Sequence, residues 1–210
     1  MPMMKESQVI TSLIYKRIVD EYVKRVEEAK SPSIIYVTDL VGCTHKFHMR
    51  KIYTELTLAF EPSMILGDLV HKGLESLMIA HGFQPEVEIS RVVNIDGVYY
   101  QLRGRVDLLD STRGVVVEVK SSKTHVGLPR EHHVFQLNIY LNMLNYEKGI
   151  LLYVTPSKIA EYEVSKTQIS IENLVREVIE DARKPRFQWE CKMCPFRKIC
   201  TYALTEPAEQ

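Results

Sequence analysis

Between residues 64 and 165 the spacing of apolar side chains switches from helical to alternating and back, and this order of periods leaves few folds open to the chain. Leu66, Leu69, Val70, Leu74, Leu77 and Met78 predict a helix over 64–81 with these residues as its core stripe, entered after Pro62 and stopped by Gly82. Val87 and Ile89, then Val98, Tyr100 and Leu102, alternate with polar residues on either side of Asn94-Ile95-Asp96-Gly97, which reads as a hairpin. A third strand, Val115 to Val119, follows a turn at 111–114. Behind Pro129, residues 130–146 carry Val134, Leu137, Leu141 and Leu144 at helical spacing, and a strand follows from Ile150 to Val154. The middle of the chain is thus helix, three strands, helix, strand.

The flanks are less regular. Ile10, Leu13, Ile14, Ile18, Tyr22 and Val26 predict an amphipathic helix over 8–26, ended by Ser31-Pro32-Ser33. Ile34 to Val37 leads to Thr38, read as the N-cap of a segment at 39–53 that carries Cys43 and the basic, histidine-containing run 45–51. A strand near 160–164 and a helix near 170–183 precede a tail in which Trp189, Phe196 and Tyr202 lie among three cysteines. With 45% hydrophobic residues and 27 basic against 27 acidic side chains, the 210 residues are neither a disordered chain nor a disulfide-stapled mini-protein. Zero net charge means that any anion is met by a local basic patch. No apolar run approaches the ~18–20 residues that cross a bilayer, and no secretory signal is recognised, so an intracellular protein without membrane partners is expected. In a reducing compartment the four cysteines read as metal ligands or buried thiols.

Four constellations could carry chemistry. If the turn is Ser111-Thr112-Arg113-Gly114, Asp107 sits opposite Glu118, and two carboxylates at that distance repel unless a divalent cation lies between them. A register shifted by one would leave each a solvated strand residue. Lys120, two residues past Glu118, falls on the same sheet face, either as a simple ion pair or as a group that orients an attacking water. Gly67, His71 and Glu75 form an i, i+4, i+8 stripe bordering the core stripe of the 64–81 helix, and Gln136 and Tyr140 are i, i+4 partners on the next one. Cys191-x2-Cys194-x5-Cys200 closes three sides of a metal site, and Cys43 can supply the fourth if the N-terminal segment folds back on the tail. Spacing alone leaves zinc and an iron–sulfur cluster open. Arg183, Lys184, Arg186, Lys192, Arg197 and Lys198, with Phe187, Trp189 and Phe196 interleaved, would suit single-stranded nucleic acid, or the aromatics shield the cysteine site.

Taken in order, His71 with Glu75, Gly104-Arg105-Val106-Asp107, Glu118-Val119-Lys120 and Gln136-Leu137-Asn138-Ile139-Tyr140 resemble the RecB-type branch of the PD-(D/E)xK nucleases. With the four cysteines added, the pattern over 36–202 resembles the CRISPR-associated Cas4 family of that branch. Val106 stands where the superfamily's eponymous proline would be, a position often changed in this branch. The resemblance implies an α/β (mixed α+β) fold with a restriction-endonuclease-like core, a mixed central sheet flanked by helices. It divides the chain into a helical segment with Cys43 (1–62), the nuclease core (63–165), and a C-terminal helix with the cysteine tail (166–210).

By the same resemblance, His71, Asp107, Glu118 and the Val119 carbonyl hold Mg2+ or Mn2+, Lys120 positions the water, and Glu75 occupies the acidic position of the first motif. Gln136 and Tyr140 support the site and contact DNA, with Lys192 and Arg197 as further DNA contacts. Cys43, Cys191, Cys194 and Cys200 hold a [4Fe-4S] cluster, zinc being the less favoured occupant. The implied activity is 5′-to-3′ exonuclease digestion of single-stranded DNA in the acquisition of CRISPR spacers, in the cytoplasm, with the spacer integrase complex as partner and a homo-oligomer as an option. Two alternatives remain at this point: a non-catalytic metal-stabilised DNA-binding subunit, and a helicase-associated repair nuclease.

Overall fold

A computed structural model describes residues 6–204. The elements follow as α1 (Val9–Lys30), β1 (Ile34–Tyr36), α2 (Val37–Val41), α3 (Thr44–Ile52), α4 (Pro62–Ile79), β2 (Gln84–Ile95), β3 (Val98–Asp110), β4 (Val115–Ser121), α5 (Glu131–Leu144), β5 (Lys148–Val154), β6 (Ile159–Ser165) and α6 (Ile171–Ile179). Short 3-10 turns lie at Thr54–Thr57 and Gln188–Met193. The expected order of helices and strands through the middle of the chain is therefore the observed one.

The six strands form one mixed sheet in the order β1-β3-β4-β5-β6, with β2 along the other edge of β3. β2, β3 and β4 run antiparallel, β4 and β5 run parallel through the α5 crossover, and β1 adds parallel to β3. Because β2 takes one edge of β3 over its whole length, β1 and β4 share the other: β1 at Gln101 to Arg103, β4 at Leu108 to Asp110. Residues 104–107 lie between these two pairings. At that fork β3 and β4 part, and the β2 ladder also skips a pair, at Glu86, whose φ is 50°.

Each face of the sheet is covered. On one, α2, α5 and α6 enclose the main core, in which Ile35, Leu40, Leu102, Leu137, Leu141, Leu151 and Val175 are fully buried. On the other, Leu74 and Met78 of α4, with Phe83, pack on Leu108, Val117 and Val119. Residues from 1–62, 63–165 and 166–210 meet in the main core, so these boundaries separate segments of sequence rather than separate cores.

Four local expectations are corrected. Half of the core stripe assigned to α4 faces outward: Leu66, Leu69 and Leu77 are 65%, 58% and 64% exposed, while Leu74 and Met78 pack on the sheet as expected. The inward stripe is Gly67, Val70, His71, Leu74, Glu75 and Met78, rotated from the expected one by the polar pair that faces the fork. Similarly, α1 buries no residue fully. Ile10 and Leu13 are exposed, while its C-terminal half rests on α3 and the 54–57 turn. Thr38 is not an N-cap; Tyr36 is, with its N–H donating to Asp39 at 2.8 Å, and Gly42-Cys43 divides the segment into α2 and α3. Asp39 wins because its carboxylate is also gripped by Arg50 through two bonds of 2.8 Å. The helix expected near 170–183 stops at Ile179, and Asp181 follows with φ 52°.

Candidate active site and metal centre

The β3–β4 register pairs Leu108 with Val117, so Asp107 and Glu118 take the next position, the first one past the ladder. The Val119 N–H, freed from strand pairing there, donates to Asp107 Oδ2 at 2.7 Å. Asp107 Oδ1 lies 3.3 Å from His71 Nδ1. Donor atoms of His71, Glu75 and Asp107 all fall within 4.8 Å of one another, an arrangement able to hold a cation. Gly67, one turn before His71, lets α4 approach β4, since a Cβ there would sit 3.0 Å from Ser121 Oγ.

Glu118 and Lys120 face the opposite helix layer. Glu118 Oε1 accepts from Lys120 Nζ at 2.5 Å and from Gln136 Nε2 at 2.7 Å, while Lys120 also donates to Gln136 Oε1 at 3.1 Å. Gln136 Nε2 lies 3.4 Å from the Tyr140 hydroxyl, which donates to the Arg105 carbonyl at 3.1 Å. Gly104 makes this packing possible, because a Cβ there would lie 2.7 Å from Tyr140 Cε1. The set therefore draws His71 and Glu75 from one face and Gln136 and Tyr140 from the other, meeting at the fork. Gln136 and Tyr140 are both buried, Tyr140 to 3% exposure. In that position they brace the Glu118–Lys120 pair.

Electrostatics mark the same spot. Burial first, and then the Asp107 charge, push the Glu118 carboxyl up to about 7 against the opposing pull of Lys120. Glu75 is raised mainly by burial. His71 is raised chiefly by its hydrogen bond to Asp107. Burial would lower Lys120, but the Glu118 charge and hydrogen bond together with the Asp107 charge outweigh it, and its pKa rises. Glu118 Oε2 is buried and has no hydrogen-bond partner. A carboxylate oxygen left so is costly. A hard cation held jointly with Asp107 would satisfy it, so these residues fit Mg2+ or Mn2+.

A second cavity lies where the tail meets α3. Cys43, Cys191, Cys194 and Cys200 line it together, all four as free thiols, with Phe196 and Arg197 in its wall. The N-terminal segment thus does fold back on the tail, the condition under which Cys43 can supply the fourth ligand. Burial pushes the Cys43 thiol up to about 11, so a metal's charge is what would draw the thiolate form. Phe196 is buried, in keeping with the shielding reading. Arg183 and Arg186 are occupied by Glu177, Lys184 by Asp181.

The residue that sequence reasoning missed here is Glu190. It is 4% exposed and accepts backbone N–H bonds from Cys43 at 2.8 Å, Arg186 at 3.1 Å and Phe187 at 2.8 Å. Thr44 adds to this joint, exchanging bonds with Arg183 and donating to Asp181 at 3.0 Å. An acidic residue directly before Cys191 was the one available signal.

Mixed sheet, two carboxylates at a strand fork and a lysine two residues on define a nuclease of the restriction-endonuclease-like class. The sequence model of the PD-(D/E)XK nuclease superfamily matches residues 78–201. The CRISPR-associated exonuclease Cas4 of Saccharolobus solfataricus is 40% identical over 205 residues, covering 94% of this chain and all of that protein. The crystal structure of SSO0001 superposes with a TM-score of 0.88 at 40% identity, over 95% of this chain and all of the other. The chain belongs to the Cas4 family of the PD-(D/E)XK nucleases. It is a nuclease, and the reading as a non-catalytic binding subunit is set aside.

Proposed function

We propose that the chain is a divalent-metal-dependent exonuclease that trims single-stranded DNA from 5′ to 3′ during acquisition of CRISPR spacers. The observations that carry the metal-dependent part are the orphaned, buried Glu118 Oε2 and the His71, Glu75 and Asp107 donor group, whose Asp107 and His71 charges act on Glu118. The name of the Saccharolobus relative supports the exonuclease and CRISPR parts. In this reading His71, Asp107, Glu118 and the Val119 carbonyl hold Mg2+ or Mn2+, with Glu75 beside them. The ion supplies a Lewis acid for the scissile phosphate and lowers the pKa of the attacking water.

The chain's own groups do the rest. Gln136 engages Glu118 Oε1 and leaves Oε2 for the cation. Lys120, held between Glu118 and Gln136, has its ammonium placed to orient the water and to meet the charge that grows on the phosphate. Tyr140 fixes Gln136 from below. Lys192 and Arg197 contact the DNA backbone. Cys43, Cys191, Cys194 and Cys200 hold a [4Fe-4S] cluster in preference to zinc, a structural clamp between segments about 150 residues apart. The spacer integrase complex is the partner, self-association is compatible with this reading, and the compartment is the cytoplasm.

The test is cleavage of strands labelled at either end, with Mn2+, by the parent, Asp107→Ala and Glu118→Ala. Both variants should lose cleavage while keeping the parent's melting temperature and metal content at the cysteines; an active Asp107→Ala protein would remove the site.

A further inference from the structure

The aromatic side chains of the tail fall into two groups. Phe196 is 2% exposed in the wall of the cysteine cavity, and Tyr202 lies edge-on to His45 at 4.9 Å in the same wall. These shield. Phe187 and Trp189 instead turn towards the first turn of α5: their rings are stacked at 5.9 Å with 18° between planes, and Trp189 lies 4.7 Å from the His132 ring. His132 in turn contacts His133 at 4.1 Å.

Trp189 is 47% exposed, and it is the chain's one tryptophan. A shielding role does not account for a large indole left half open to water. Its position does suggest another. His132 precedes Gln136 by four residues, which is one turn, about 6 Å along the helix axis and on the same helix face. Gln136 is bonded to Glu118. The Lys120 charge is also felt at His132, together with burial and Arg130. A half-exposed indole, packed against Phe187 and His132, thus stands beside the residue one helix turn before the Gln136 that binds Glu118. Lys123 and Arg130, both exposed, lie in the segment that leads into the same end of α5.

We propose that Trp189, backed by Phe187 and His132, is a stacking platform for an unpaired base of single-stranded DNA close to the scissile phosphate. The base class follows from the chemistry of the ring: a half-exposed indole takes any nucleobase, but only one that is not already stacked inside a duplex. The proposal rests on the nuclease reading of Asp107 and Glu118, and gives that site a preference for unpaired strands that the carboxylates alone do not provide.

A single tryptophan makes the test direct. The holoprotein, with Ca2+ in place of Mg2+ so that DNA persists, is titrated with a single-stranded 15-mer, its fully abasic counterpart and a blunt duplex of the same sequence while tryptophan emission is followed. The 15-mer should quench the emission, and the abasic strand and the duplex should not. In anisotropy titrations Trp189→Ala should lose about 5- to 150-fold in single-strand affinity, the ~1–3 kcal/mol of one stacked base, with duplex affinity unchanged. Trp189→Phe should recover most of it. Equal quenching by the abasic strand, or parent-like single-strand binding by Trp189→Ala, overturns the platform. If Trp189→Ala does not fold, the abasic comparison on the parent decides alone. Asp107→Ala separates the two readings: it should lose cleavage yet still be quenched, whereas cleavage retained in Asp107→Ala overturns the nuclease site and leaves the quenching to judge the platform.

Discussion

Removing the Glu190 carboxylate should open the joint between Cys43 and the tail. Its two oxygens accept three N–H bonds of 2.8, 2.8 and 3.1 Å in a setting 4% exposed. In Glu190→Ala three main-chain donors lose their acceptor at once. At about 1–3 kcal/mol for each buried donor left unmade the upper limit is near 9 kcal/mol. Water entering the vacated volume recovers part of this, so about 3–5 kcal/mol is expected, the usual cost of breaking a buried charged network. That is a large share of the ~5–15 kcal/mol by which domains are stable. Glu190→Gln keeps one acceptor oxygen but turns an amide N–H towards a donor, and should cost about half as much. Urea denaturation of the holoprotein, followed by circular dichroism, reads both, with the order parent, Gln, Ala. A loss under about 1 kcal/mol in Glu190→Ala would show that Glu190 does not hold the joint.

Three further outcomes are expected. Gly104→Ala places a Cβ 2.7 Å from Tyr140 and 2.9 Å from Val37, overpacking worth about 1–3 kcal/mol that also displaces the support of Gln136; parent-like melting and cleavage would refute this. Cys191→Ser should lose bound metal and stability together, measured as iron and zinc content against the urea midpoint, and unchanged stability would count against the clamp. His133 is held down to about 3, first by burial and then by Lys120, His132 and Arg130, with its Nδ1 2.8 Å from the Tyr153 hydroxyl. The unfolded imidazole titrates near ~6.5, so between that pH and about 3 the unfolded chain binds a proton that the folded one refuses. Stability present above ~6.5 is therefore lost as pH falls through this window, and His133→Gln should flatten that limb of the stability profile; superimposable profiles would contradict the assignment.

The sequence by itself carried the elements and the chemistry on them. Alternation and helical spacing are local properties, so the β2–β3 hairpin, β4, α5 and β5 were legible near their observed bounds. The register Leu108 to Val117 was legible too, because a turn at 111–114 sets it, but the ladder stops there, one pair short of the expected opposition of Asp107 to Glu118. The i, i+4 pairs His71 with Glu75 and Gln136 with Tyr140 followed in the same way.

Which face of α4 turns inward was decided only in three dimensions. Two apolar stripes run side by side on that helix, and the one that packs on Leu108, Val117 and Val119 also carries His71 and Glu75 to Asp107. The parallel addition of β1 to β3 and the hold of Glu190 on Cys43 join residues 67 and 147 positions apart. Contacts of that range repay their loop-closure entropy only once the whole core has formed, so no window of the sequence contains their energy.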